Sequence, residues 1–308
     1  MKKKISLIIP VLNEEENIHP VFLAINNVLE TIPSFDFEFI FVNDGSTDNT
    51  LEKIKSLASS HPAVHYISFS RNFGKDNALL AGLQNAKGDA VITIDADLQH
   101  PPSLIPAFIQ QWEAGYQIVY TYREKNKIHD SWLSNIFSGL FYKLVNRFSD
   151  VKLEQGIADF RLMDVKVVDI LKNMPEDEPF YRGMVKWVGF NQMGIPYTPD
   201  QRLKGVPSYN LKGLFKLALN GITSFSTSPL NLAIYLGFFF SFLSILYIPY
   251  AIISKINGLA ISGWTSVIVT IAFFGGLQLM ILGIMGIYLG KVFMQNKHRP
   301  RYIINEKN

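Results

Sequence analysis

The sequence predicts an α/β fold, a mostly parallel sheet covered by helices, followed by an amphipathic interfacial helix and two transmembrane helices. Three observations predict it. Up to about residue 121, stretches rich in β-branched and aromatic residues alternate with helical patterns, the signature of βαβ units and a parallel sheet. Between residues 211 and 225 the apolar residues fall at helical spacing, with lysines off that face. Beyond it lie two long uncharged runs, Leu232 to Ile253 and Trp264 to Leu289, each longer than the roughly 20 residues a helix needs to cross hydrocarbon.

The strand expectations, in order, are Ile5–Val11, Phe37–Val42, Val64–Ser70, Ala90–Asp95 and Gln117–Thr121. Lys2, Lys3 and Lys4 precede a short apolar run that meets Asn13-Glu14-Glu15-Glu16, so the N-terminus reads as a strand and not as a signal peptide. From Trp132 to Phe148 apolar residues recur every three to four positions, a helix that packs either on the sheet or on the membrane. Leu214, Phe215, Ala218 and Ile222 form the apolar face of the next helix, which leads directly into the first uncharged run and is read as interfacial. Pro249 interrupts that run without ending it, because transmembrane helices tolerate proline. The expected organisation is a sheet-and-helix domain over 1–207, the interfacial helix over 208–229, a transmembrane hairpin over 230–291 and a basic tail over 292–308.

Composition narrows the function. The chain has 308 residues, no cysteine and a net charge of +3. That charge is too small to imply nucleic acid, and the basic residues cluster beside the apolar runs, where anionic lipid headgroups of a bilayer are the natural partner. Lys291, Lys297, Arg299 and Arg301 follow the second run, Lys212 and Lys216 precede the first, and the connection holds only Lys255. The positive-inside rule then places the domain over 1–207 and both termini in the cytoplasm, with a multi-pass anchor in the cytoplasmic membrane. The spacing Gly286-x-x-x-Gly290 lets a second helix approach closely, which leaves a homo-oligomer through the transmembrane helices open.

Ligands on parallel sheets bind beyond the carboxyl ends of the strands, so the chemistry is sought there. The strand from Ala90 ends in Asp95-Ala96-Asp97-Leu98-Gln99. Two carboxylates at i and i+2 where a strand turns can converge on a hard divalent cation, Mg²⁺ or Mn²⁺, which would neutralise a departing diphosphate. Other strand ends carry Pro10-Val11-Leu12-Asn13-Glu14, Val42-Asn43-Asp44-Gly45-Ser46 and Arg71-Asn72-Phe73-Gly74-Lys75. Ser46, Thr47 and Asp48 read equally as a helix cap, but Asp44 is left at a strand end.

This ordered set resembles the family 2 inverting glycosyltransferases of the GT-A, Rossmann-like fold. Within them it is most similar to the polyprenyl-phosphate glycosyltransferases, which include dolichol-phosphate mannose synthase and the GtrB-type glucosyltransferases of bacterial O-antigen modification. Asp159-Phe160-Arg161-Leu162-Met163-Asp164, Trp187-Val188-Gly189 and the two apolar runs extend the likeness over nearly the whole chain. The resemblance implies a nucleotide pocket of Pro10, Leu12, Glu14, Val42 and Asp44, to which Lys75 adds a cation. It implies a metal and diphosphate site of Asp95, Ala96, Asp97 and Gln99, with Asp95, Asp97 and Gln99 as metal ligands. Arg123 and Arg202 are implied as receivers of lipid or donor phosphate, and Asp159 as a catalytic base or orienting group, unless it is only an ion pair with Arg161. The sequence departs from the family at Gly205-Val206-Pro207-Ser208-Tyr209, where Ser208 stands in place of a lysine; Lys204 or Lys212 are the available substitutes.

The expected reaction moves a sugar from a nucleotide-diphosphate sugar, a UDP-hexose such as UDP-glucose, to polyprenyl phosphate. The acceptor is undecaprenyl phosphate for a bacterial source and dolichyl phosphate otherwise, and the product is a lipid-linked sugar for the cell envelope. A processive polysaccharide synthase and a catalytically silent membrane scaffold are the rival readings. The first usually carries a Gln-x-x-Arg-Trp motif and more spans, whereas this chain offers Val185-Lys186-Trp187; the intact Asp95 and Asp97 argue against the second.

Overall fold

The computed structural model describes residues 2–123, 156–177, 179–198, 226–257 and 263–308. The amphipathic segments 132–148 and 211–225, with Arg202, Lys204, Ser208 and Lys212, lie outside them. The described chain runs β1 (Lys3–Val11), α1 (Ile18–Leu29), β2 (Phe35–Asn43), α2 (Thr50–Ser60), β3 (Val64–Phe69), α3 (Lys75–Asn85), β4 (Ala90–Thr93), α4 (Ile105–Glu113) and β5 (Ile118–Arg123). Then come β6 (Ile157–Asp164), α5 (Val165–Asn173), α6 (Tyr181–Trp187), β7 (Gln192–Tyr197), α7 (Ser228–Ile256), α8 (Trp264–Gln295) and β8 (Ile304–Lys307).

The strands form one eight-stranded sheet in the order β7-β5-β6-β4-β1-β2-β3-β8. The run β3-β2-β1-β4 is parallel. Strand β6 is antiparallel to both β4 and β5, and β8 is antiparallel to β3, so the sheet is mixed at both flanks and parallel at its centre, a Rossmann-like arrangement. The alternation within β1 shows why it sits centrally. Ile5, Leu7, Ile9 and Val11 enter the cluster with α1, α2 and α4, while Ile8 enters the opposite cluster with α3, α5 and α6. Both faces are therefore apolar, and each such side chain contributes about 1.5–3 kcal/mol of burial. Helix α3 lies so close to β1 that a Cβ on Gly82 would come within 2.3 Å of Ile8 Cγ2.

Strand β6, between β4 and β5, also accepts hydrogen bonds on its backbone carbonyls from buried hydroxyls of its two neighbours. Thr93 Oγ1 donates to the Asp159 carbonyl, and Thr121 Oγ1 donates to the Phe160 carbonyl at 3.0 Å.

Helices α7 and α8 are long and apolar enough to cross a membrane. At about 1.5 Å per residue each outreaches a hydrocarbon core of about 30 Å. Their surfaces carry large apolar side chains outward, Phe238 at 72% and Leu279 at 71% exposure, far beyond what a water-facing surface bears. They touch through Phe240 against Phe273 and Phe274, with ring centroids 5.4 and 5.6 Å apart. Helix α7 continues through Pro249 and takes in Lys255, so that lysine belongs to the helix and not to the connection. The tail is more than a basic extension. Its residues Ile304–Lys307 return to the sheet as β8, an element the sequence reading did not anticipate.

Candidate active site

The loops after β1 and β2 are stitched together by side chains. Asn13, in the left-handed region at φ 54°, donates its amide to Ser46 Oγ at 2.9 Å and accepts from the Thr47 amide at 2.8 Å. The Glu14 amide donates to Thr50 Oγ1 at 2.8 Å. Ser46 and Thr47 thus tie two loops together, beyond the helix-capping role the sequence also allowed. Asp48 accepts from both the amide and the hydroxyl of Thr50 at the start of α2.

A third loop is held by Asp44. This side chain is 3% exposed and accepts from the Phe73 amide at 2.7 Å and from the Gly74 amide at 3.0 and 3.2 Å. Burial pushes its carboxyl above the usual range, against those two amides and Arg71. Gly45 makes the approach of the loops feasible. Its φ is 69° and an added Cβ would lie 2.3 Å from the Arg71 carbonyl carbon, so no other residue fits without displacing one loop. Of the other residues expected at the nucleotide pocket, Leu12 is exposed and Glu14 and Pro10 are half-buried, whereas Val42 lies wholly in the core.

Where β4 ends, Asp95 meets Lys75 Nζ at 2.6 Å and His100 Nε2 at 3.5 Å. Lys75 also reaches Asp159 Oδ2 at 2.9 Å, so one ammonium bridges the carboxylates of two strands. Asp159 is 5% exposed. Arg182 grips it with Nε at 2.8 Å and Nη2 at 2.9 Å, while Arg161 Nη2 stands at 3.5 Å. Sequence-adjacent Arg161 is thus the looser partner, and Arg182 is the bidentate one.

The electrostatics follow from this packing. Burial would raise Asp159, but Lys75, Arg182 and Arg161 outweigh it and hold the carboxyl well below its usual range. Burial also opposes the charge of Asp95, yet Lys75 and His100 bring it down to about 2. Lys75 resists its own burial through Asp95 and Asp159, which raise it. Asp76 goes the other way: burial and the charge of Asp159 push it up to about 6. Tyr197 is raised to about 12 by burial, and its phenol feels Arg123, Asp95, Asp97 and Arg182 together. Arg123, exposed at the end of β5, therefore belongs to the same mouth.

Past Asp95 the chain turns sharply. The Gln99 amide donates to Asp97 Oδ1 at 3.2 Å, and Leu98 adopts φ 56°, a left-handed geometry that β4 and the following turn hold in place. Ala96 is buried beneath. Among the described residues no three His, Cys, Asp or Glu side chains gather to hold a metal. The donors present, two carboxylates on one turn with the Gln99 amide beside them, suit a hard cation that keeps most of its shell in water and phosphate oxygens.

Sequence reasoning missed Arg182 and His100. Nothing in the spacing around Arg182 marks it, since it is brought to Asp159 by the packing of α6. His100 is 8% exposed, wedged against Phe160 and Tyr197 at centroid distances of 5.7 and 5.2 Å.

Residues 6–171 match the family described as Glycosyl transferase family 2. A bactoprenol glucosyl transferase of Shigella phage SfV is 44% identical over 306 residues, 99% of both chains. A prophage bactoprenol glucosyl transferase homolog of Escherichia coli K12 is 42% identical, covering 98% of both. Among solved structures, glucosyl-3-phosphoglycerate synthase from Mycobacterium tuberculosis with Mn²⁺ and UDP-glucose is similar at 20% identity and a TM-score of 0.48, over 72% of this chain and 78% of that one. With more than half its length matched by the family and relatives aligned nearly from end to end, the chain belongs to glycosyltransferase family 2 and is a glycosyltransferase.

Proposed function

We propose that the protein transfers a hexose from a UDP-sugar, UDP-glucose first among them, to the phosphate of a polyprenyl lipid, undecaprenyl phosphate in a bacterium, with inversion at the anomeric carbon. The observation that carries this reading is the cluster Asp95–Lys75–Asp159–Arg182, which gathers two carboxylates and two cations at the carboxyl end of the sheet. Two relatives named for glucosyl transfer to bactoprenol support the choice of acceptor and sugar.

Asp95, Asp97 and Gln99 would hold a Mg²⁺ or Mn²⁺ ion, which supplies positive charge to the departing diphosphate. Asp44, through the amides of Phe73 and Gly74, fixes the loop that walls the nucleotide pocket. Lys75 and Arg182 present cationic donors that Asp159 keeps in register. Arg123 receives phosphate at the mouth of the crevice, a task that suits a forked guanidinium. Arg202 is proposed for the same task. The lipid phosphate is ionised near neutral pH and attacks as it stands, so positioning and electrostatics carry the reaction. Asp159, whose two oxygens are already occupied by Lys75 and Arg182, orients and does not abstract.

Anchorage follows from α7 and α8 crossing the cytoplasmic membrane as a hairpin. The pairing of β8 in the same sheet as β1–β7 supports placing both ends of the helix pair on one side of the bilayer, and the flanking lysines and arginines support assigning that side to the cytoplasm.

The test is incubation of the purified protein with UDP-glucose, Mg²⁺ or Mn²⁺ and undecaprenyl phosphate, following lipid-linked hexose and UDP. One hexose per lipid is expected, with loss of product on chelation and in Asp97→Ala. Polymer would point to the processive synthase, no turnover of any nucleotide sugar to the silent scaffold, and native rates in Asp97→Ala would overturn the site assignment.

A further inference from the structure

We propose that Tyr302, on the tail beyond α8, is a positioning residue for the nucleotide loop, acting through Phe69 and Phe73 on the contact between that loop and Asp44. The inference rests on the nucleotide-pocket reading above.

The tail reaches the loop directly. The Ser70 amide donates to the Ile303 carbonyl at 3.0 Å, and β8 pairs with β3 with a register shift at Ser68 and Phe69, just before the loop begins. The Tyr302 ring stacks on Phe69 with centroids 4.7 Å apart and planes 17° from parallel. Phe69 meets Phe73 edge-on at 5.8 Å and 89°. The amide of that same Phe73 donates to Asp44 Oδ1 at 2.7 Å. The Tyr302 hydroxyl is itself fixed by Gln84 on α3, so the first ring of the series is anchored at both ends.

An edge strand that served only to cover β3 would need backbone pairing and nothing more. Here the side chain just ahead of the strand turns inward onto the aromatic that supports the loop. From the other side, Gly45 allows the β2 loop to abut Arg71 and Asn72. The loop is thus clamped between Gly45 and the aromatic series, and only the second half of the clamp is supplied by residues beyond the apolar helices. Removing Tyr302 frees Phe69 and Phe73 to re-pack, and the Phe73 and Gly74 amides drift from Asp44. Binding of the nucleotide weakens, while the Asp95–Lys75–Asp159 cluster keeps its geometry.

The full-length protein in detergent is titrated with UDP and Mg²⁺ by calorimetry, alongside steady-state kinetics. Aromatic pairs of this kind are worth up to about a tenfold change in an equilibrium constant. We expect Tyr302→Ala to weaken UDP about 3–10-fold and raise the KM for the nucleotide sugar with kcat within about twofold. Tyr302→Phe, which keeps the stack and loses only the bond to Gln84, should retain most of the parent's affinity. Glu306→Gln, which loosens the tail's 3.0 Å pair with Lys55 but leaves the rings in place, should also match the parent. If Tyr302→Ala is poorly folded, Tyr302→Leu fills the volume without stacking and should reproduce the UDP defect. Unchanged UDP affinity in Tyr302→Ala or Tyr302→Leu overturns the proposal, as does an equal loss in Tyr302→Phe. Asp44→Asn separates the two levels: if it weakens UDP while the Tyr302 variants do not, the pocket stands and the relay fails; if none of these variants affects UDP, the pocket assignment fails.

Discussion

Replacing Asp159 by asparagine keeps the shape of the side chain and removes the charge at the centre of the cluster. In the parent its oxygens accept from Lys75 at 2.9 Å and from Arg182 at 2.8 and 2.9 Å. Bonds to charged groups contribute about 1.5–3 kcal/mol each, against 0.5–1.5 for neutral ones. An asparagine offers one acceptor oxygen and turns an NH₂ toward a cation. Lys75 and Arg182 side chains are 41% and 43% exposed, so solvent screens part of the loss, and a net cost of about 2 kcal/mol is a reasonable magnitude. If that energy positions Lys75 and Arg182 in the transition state, kcat/KM falls roughly 10- to 100-fold. The melting temperature should drop by about 4–8 °C. Initial rates across pH 6–9, with melting in the same detergent, test both. Turnover at the parental rate would refute the argument.

Gly45→Ala places a Cβ 2.3 Å from the Arg71 carbonyl carbon at a φ of 69°, so it should destabilise by about 2–4 kcal/mol and weaken UDP binding; a melting curve and a UDP titration equal to the parent's would contradict the tight loop contact. Asp76 has its carboxyl pushed up to about 6 by burial and by Asp159. A raised carboxyl binds more protons folded than unfolded, so its ionisation erodes stability as pH climbs through roughly 4 to 6. Asp95 and Asp159, both held low, stay charged in the folded state through that window; they oppose the loss only at its lower end, where the unfolded carboxyls still bind protons, and that share is common to parent and variant. Asp76→Asn should therefore gain about 2 kcal/mol on the parent between pH 4.5 and 8, read from thermal melts at the two values; parallel pH curves would show that the environment of Asp76 is not as described.

The parallel core was legible because its strands are buried on both faces and read as continuous apolar runs. The expectation Ile5–Val11 became Lys3–Val11, and Ala90–Asp95 became Ala90–Thr93, differences confined to strand ends. Strand β6 was quoted as a motif and not as a strand, since Asp159, Arg161 and Asp164 interrupt the apolar pattern. Those charges are tolerated only because partners arrive from elsewhere in the fold. The i, i+2 spacing puts Asp159 and Arg161 on one face of a strand, which is why Arg161 was the natural ion-pair candidate, whereas the closer partner Arg182 comes from a helix 23 positions away. Local spacing carries no trace of such a contact. The same holds for β8, four residues with a polar sequence that become a strand only because β3 has a free edge.

Strand β8 also bears on biogenesis. The outer edge of β3 is closed by residues that leave the ribosome after both hydrophobic helices. Until they arrive, β3 presents unpaired amides and carbonyls, a template on which nascent chains can aggregate. The last edge of the parallel core is therefore covered only by residues that follow both apolar helices in the chain.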